Sequence, residues 1–154
     1  MGVEEIEKQK GEEAERRKEE GNVLFSKGQY EDAVKLYTLA LSLSPKTAVY
    51  YSNRAACNLA MGKAKEALLD AKVAVEILPD FTRAWGRLAR AALVLGDEGE
   101  VKRAVPRLGV EEGRKLEAEL GEVSHARVST EVALVAARWQ DSLYWASKWL
   151  LVSS

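Results

Sequence analysis

The feature that most limits what this chain can become is a period of 34 residues. Gly28, Gly62 and Gly96 keep that step, as do Ala33, Ala67 and Val101, then Ala40, Ala74 and Leu108, and Gly21, Ala55 and Ala89; Pro45 and Pro79 mark the same interval. Columns in register signal a repeated structural unit, and a unit of this length is a helix, a turn and a second helix. The residue types fit that unit physically. Gly21, Ala55 and Ala89 carry little or no side chain, which lets the two helices of one unit approach closely. The three mid-unit glycines fall where a first helix has to stop and turn, the usual place of glycine at a helix C-terminus. Pro45 and Pro79 end the second helix, because a proline inside it loses a hydrogen bond and clashes with the turn before it.

The period divides residues 14–115 into three units, 14–47, 48–81 and 82–115. Leu24, Tyr37, Leu41, Leu59, Leu68, Val75, Leu88 and Leu95 recur at helical spacing and no stretch alternates with period two, so the expected fold is all-α. The third unit is degenerate. Val101, Val105 and Leu108 keep the apolar columns, but Pro106 falls inside the second helix, where a straight helix would cost about 3 kcal/mol. A break is expected there, followed by a helix from Val110 to Leu120 that caps the exposed end of the stack.

Outside the three units lie two extensions. Residues 1–13 are charged, with Glu4 and Lys8, and Glu12 and Arg16, spaced for pairing on a solvated helix or frayed arm. At the other end, residues 116–154 hold the rest of the capping helix, a Gly-Glu-Val-Ser-His link at 121–125, and a last helix over Thr130–Val152 with three of the four tryptophans. Glu131, Arg138, Asp141 and Lys148 interrupt that helix too often for a membrane span of about 20 residues. Three roles stay open for residues 130–152: docking on the repeats, association with itself or a protein partner, and lying at a membrane surface.

Composition narrows the function classes. At 154 residues, 47% hydrophobic and 31% charged, the chain can bury a core within one domain. A net charge of −1 offers no broad basic surface for nucleic acid, so an anion site has to come from local clustering. Cys57 stands alone and fits a small buried position in a reducing compartment. The N-terminus runs straight into charge without a signal-like apolar stretch, which makes a cytoplasmic address the expectation. Enzymatic chemistry finds no footing: His125, the one histidine, stands in the link without a catalytic context, and one His with one Cys cannot make an ordinary zinc site. Gly96-Asp-Glu-Gly99 is a turn, not a phosphate cradle. No catalytic residue, metal or cofactor is expected.

Five polar residues recur on the first helices of the three units: Lys18 and Asn22 in Lys18-Glu-Glu-Gly-Asn22, Asn53 in Tyr51-Ser-Asn-Arg54, and Arg83 with Arg87 in Thr82-Arg-Ala-Trp-Gly-Arg87. Three cations and two carboxamides with no acid among them suit a carboxylate. Arg offers a planar fork, Lys a mobile point charge, and Asn a donor that adds no repulsion. The repeat pattern resembles the tetratricopeptide repeat, and these five, with Ala48-Val-Tyr-Tyr-Ser-Asn-Arg-Ala-Ala56 and Ala84-Trp-Gly-Arg-Leu88, resemble the carboxylate clamp of co-chaperone tetratricopeptide domains. Residues 14–105 are similar to the domain of small glutamine-rich tetratricopeptide proteins.

The resemblance implies a right-handed superhelix whose first helices line a concave face through positions 2, 5, 6 and 9. Counted from 14, 48 and 82, Lys18 is position 5, Asn22 is 9, Asn53 is 6, Arg83 is 2 and Arg87 is 6. It also implies binding of the Glu-Glu-Val-Asp C-termini of heat-shock protein 70 and/or heat-shock protein 90. Lys18, Asn22, Asn53 and Arg87 would take the terminal carboxylate and aspartate side chain, and Arg83 the preceding part of the peptide. There are two departures. Arg83 stands where the family often has Lys, which keeps the charge and changes the donor geometry, and the chain after Leu108 lacks a glutamine-rich tail. Arg54 and Arg90 lie off the clamp positions and read as packing or outer-surface residues. The competing class is a scaffold that works mainly through the Trp-rich segment with its groove unused.

Overall fold

The structure, a computed structural model, describes the backbone of residues 2–152 and the side chains of residues 2–138. Among the described residues the regular elements are helices: α1 (Val3–Ser26), α2 (Tyr30–Leu43), α3 (Ala48–Ala60), α4 (Ala64–Ile77), α5 (Thr82–Leu95), α6 (Glu98–Ala104), a 3₁₀ turn (Val105–Arg107) and α7 (Val110–Val152). Short connections fold α1 on α2, α3 on α4 and α5 on α6 as hairpins; the hairpins stack through α2 on α3 and α4 on α5, and α3 also meets α5.

Each hairpin turns in the same way. Gly28, Gly62 and Gly96 adopt φ of 75°, 73° and 68°, the left-handed region that a side chain makes costly. Just past each glycine the chain bonds back into the helix it has left: Gln29 N–H to Leu24 at 2.9 Å, Lys63 to Asn58 at 2.8 Å and Asp97 to Ala92 at 2.9 Å. Carbonyls that would face water unpaired at the helix end are thereby satisfied.

The small residues of the repeat are the contact points between helices. Ala33, Ala40, Ala55, Ala67, Ala74 and Ala89 are all fully buried. At Gly21 the fit is tighter still, since a Cβ there would stand 2.8 Å from the Tyr37 ring. Tyr37, Leu88, Val101 and Cys57 fill the space between these approaches and are among the most completely buried side chains. Between α2, α3 and α4, the Arg54 guanidinium donates to both carboxylate oxygens of Asp70 at 2.9 and 2.7 Å, and to Thr38 at 3.0 Å. Asn58 adds a longer bond to the same carboxylate, so this half-buried pair is fully partnered and serves packing, as expected for Arg54.

The degenerate third unit breaks at Pro106. After seven residues α6 gives way to the 3₁₀ turn, and Arg103 and Arg107 lie over the Trp85 ring at 5.3 and 5.6 Å. The segment after it differs from the sequence expectation. Where a capping helix, a link at 121–125 and a separate last helix were expected, α7 runs unbroken from Val110 to Val152. Gly121 costs a helix only about 1 kcal/mol, no proline follows Pro106, and contacts on both sides of the glycine hold the helix in line. Leu116 and Leu120 are buried against the stack, Ser124 Oγ donates to Glu98 at 2.8 Å, and Arg127 reaches the Gly96 carbonyl at 3.4 Å. His125 is therefore helical and exposed. The side chains of the Trp-rich stretch from 139 onward lie outside the described residues.

Candidate functional site

The site is assembled from the first helices of the three hairpins. Lys18 and Asn22 sit one turn apart near the end of α1, Asn53 in the middle of α3, and Arg83 and Arg87 one turn apart at the start of α5. All five line one hollow of about 380 Å³, floored by Tyr37 of α2 and walled by Phe25, Val49 and Ala56. Residues 69 positions apart in sequence, Lys18 and Arg87, meet there because the stacking brings α1, α3 and α5 side by side.

Hydrogen bonds hold the carboxamides in place. Asn22 Oδ1 accepts from the Tyr37 hydroxyl at 2.8 Å and from Asn53 Nδ2 at 3.2 Å, which fixes both amide planes and ties α1 to α3. Burial pushes the Tyr37 hydroxyl up to about 12, so it is a proton donor at neutral pH. Arg87 donates to the fully buried Ser52 hydroxyl and, more weakly, to Asn53 Oδ1 at 3.4 Å.

The charges are distributed unevenly. Burial, reinforced by the neighbouring Arg83, brings Arg87 down to about 10, well below the usual arginine range. Among the described residues neither Arg83 nor Arg87 pairs with a carboxylate, so this wall carries positive charge without a counter-ion. Lys18, in contrast, is held by Glu15 and by Glu19, the latter at 2.8 Å, and its hydrogen bonds to them raise its pKa. An anion entering the hollow would meet two arginines, one lysine and two oriented amides within an environment partly closed to water, where charge-assisted bonds are stronger than in bulk solvent.

Two larger hollows, of about 820 and 620 Å³, continue from the first and share Arg87 with it. Arg90, expected to serve packing or the outer surface, lines both and pairs with Glu112 of α7 at 3.7 Å, with its side chain 68% exposed along the groove's continuation. Sequence reasoning did not name Phe25, Tyr37, Ser52, Glu15 or Glu19 as part of this site. Glu15 carried a visible signal in its helical spacing to Lys18, Glu19 in its spacing to Asn22, and Ser52 in its place at position 5 of the second unit, whereas Tyr37 reaches the site only through packing.

Comparison with known proteins agrees with the stacked-hairpin fold. A family model described as TPR repeat matches residues 21–62. The heat-shock protein cognate co-chaperone sgt12 of Aspergillus fumigatus is 38% identical over 92 residues, 60% of this chain and 27% of that protein. The chain thus spans about a quarter of that relative's length. The solved Sgt2 TPR domain from Aspergillus fumigatus is 32% identical, with a TM-score of 0.67, over 75% of this chain and 82% of that one. The first TPR of Spaghetti (RPAP3), solved bound to the HSP90 peptide SRMEEVD, is 26% identical, with a TM-score of 0.68, over 74% of this chain and 98% of that one. With a repeat period, a stacked-hairpin fold and relatives that agree, this chain belongs to the tetratricopeptide repeat family, as a domain of the kind found in Sgt2-type co-chaperones.

Proposed function

We propose that the chain is a co-chaperone adaptor that captures the acidic C-terminal Glu-Glu-Val-Asp peptide of heat-shock protein 70 and/or heat-shock protein 90 in the hollow between α1, α3 and α5. The observation that carries the reading is the charge pattern of that hollow: Arg83 and Arg87 face it without a carboxylate partner, beside Lys18 and the hydrogen-bonded amides of Asn22 and Asn53. A chain terminus with a carboxylate and an aspartate side chain supplies the missing anions. Capture, not catalysis, is the chemistry these groups perform, since a fork of arginine donors and oriented amides binds charge without moving protons. The hollow is open to solvent on one side, so binding weakens as salt rises.

Calorimetry with the two chaperone C-terminal peptides, each with a free and an amidated terminus, tests the proposal. Amidation is expected to lower affinity about tenfold or more, since it removes a charge and its charge-assisted bonds. Equal affinity for both forms would overturn it. A second reading, a scaffold acting through the end of α7, is favoured by the exposure of Val128, Val132, Leu134 and Val135, each more than half accessible. Comparing the full chain with one ending near Glu122 in sedimentation and chaperone pull-down separates the two readings.

A further inference from the structure

Resting on that reading, we infer that Glu19 is an internal competitor for the peptide: its carboxylate occupies donors on α1 that a bound terminus needs. The geometry is specific. Glu19 Oε1 lies 2.8 Å from Lys18 Nζ, and its Oε2 accepts from Asn22 Nδ2 at 3.4 Å, so one carboxylate bridges two of the five clamp residues. The Lys18 partnership lowers the Glu19 pKa from its ordinary carboxylate value, and the Asn22 bond adds to this, which favours the ionised form. Asn22 Oδ1 is already accepting from Tyr37 and Asn53, so Asn22 meets a peptide carboxylate only through its Nδ2, one of whose two N–H donors is turned to Glu19.

Glu15 also pairs with Lys18, but its situation is different. The Tyr50 hydroxyl of α3, itself buried, donates to Glu15 at 3.1 Å and anchors it against the stack. Glu19 has no such anchor: its side chain is 64% exposed and its recorded bonds run only to Lys18 and Asn22. Glu15 is thus a fixed counter-ion that positions Lys18, and Glu19 is the movable one. An arriving peptide carboxylate displaces Glu19 into water, and part of its attraction to Lys18 is spent in that exchange. The clamp is consequently lopsided, with the unmasked arginines of α5 making first contact and Lys18 with Asn22 joining once Glu19 has left.

The test is peptide titration of Glu19→Gln beside Glu20→Gln in the full chain. Glu20 is the next residue, also exposed, and it pairs with Arg17 at 3.1 Å, away from the hollow, so it controls for the change in net charge. Glu19→Gln is expected to tighten binding of the free-terminus peptide about two- to fivefold, with the gain shrinking at high salt, while Glu20→Gln changes affinity less than about twofold. Equal tightening by both variants would reduce the effect to long-range charge and overturn the inference, as would unchanged or weaker binding by Glu19→Gln. Arg87→Met in the same series separates the failures. If it weakens binding while Glu19→Gln does nothing, the clamp stands and the competitor does not; if neither changes affinity, both fall.

Discussion

Replacing Arg87 by Met separates a residue kept for binding from one kept for folding. In the free protein this guanidinium is largely withdrawn from water beside Arg83, and its pKa of about 10 means that the fold disfavours the charge it carries. A depression of more than two units corresponds to about 3 kcal/mol, and water at the open side of the hollow reduces this to about 2 kcal/mol. Met fills a similar volume and removes that cost. Against it stands the loss of the bond to the fully buried Ser52 hydroxyl, worth about 1–2 kcal/mol. The two effects nearly cancel, so urea unfolding of Arg87→Met should give a stability within about 1 kcal/mol of the native chain. Peptide affinity has no such compensation. Each charge-assisted bond lost is worth about 1.5–3 kcal/mol, which predicts a ten- to hundredfold weaker complex by calorimetry. A stability loss above about 3 kcal/mol would refute the reasoning by making Arg87 a strut of the fold, and unchanged affinity would refute it by leaving Arg87 out of the site.

The remaining predictions concern the frame. Gly21→Ala drives a Cβ into the Tyr37 ring and is expected to cost about 1–3 kcal/mol in denaturant unfolding, and to weaken peptide binding by disturbing the Tyr37 bond to Asn22. Gly62→Ala meets open space and is opposed only by its φ of 73°, so it should cost about 1–2 kcal/mol and leave peptide affinity unchanged. Burial pushes the Cys57 thiol from 9.0 in an unfolded chain up to about 11, so above pH 9 the unfolded state holds fewer protons than the folded one and stability falls as pH rises. Cys57→Ala should flatten that fall in unfolding measured from pH 8 to 10.5, and in the native chain thiol labelling should proceed only through opening of the structure. Leu116→Ala is expected to cost about 2–4 kcal/mol and to raise hydrogen exchange in the first turns of α7, where that side chain seats the helix on the stack.

The sequence by itself determined the repeating unit, because the need for a left-handed residue at each turn and for minimal side chains at each crossing is local and recurs every 34 residues at Gly28, Gly62 and Gly96 and at Gly21, Ala55 and Ala89. It also pointed to the five polar residues, because their positions on successive first helices follow from counting along the repeat. Three things were decided only by the tertiary structure. The continuity of α7 through Gly121 depends on contacts with Glu98 and the Gly96 carbonyl, far away in sequence, which outweigh a local helix-breaking tendency of about 1 kcal/mol. The electrostatic character of the hollow depends on which neighbours reach each charge: Arg87 is desolvated with no acid beside it, while Lys18 is screened by two. The orientation of Asn22 depends on Tyr37, brought up from the second helix of its hairpin. Local backbone preference repeats with the sequence and can be read from it, whereas desolvation and pairing depend on every group that arrives within a few ångströms, which only the folded chain specifies.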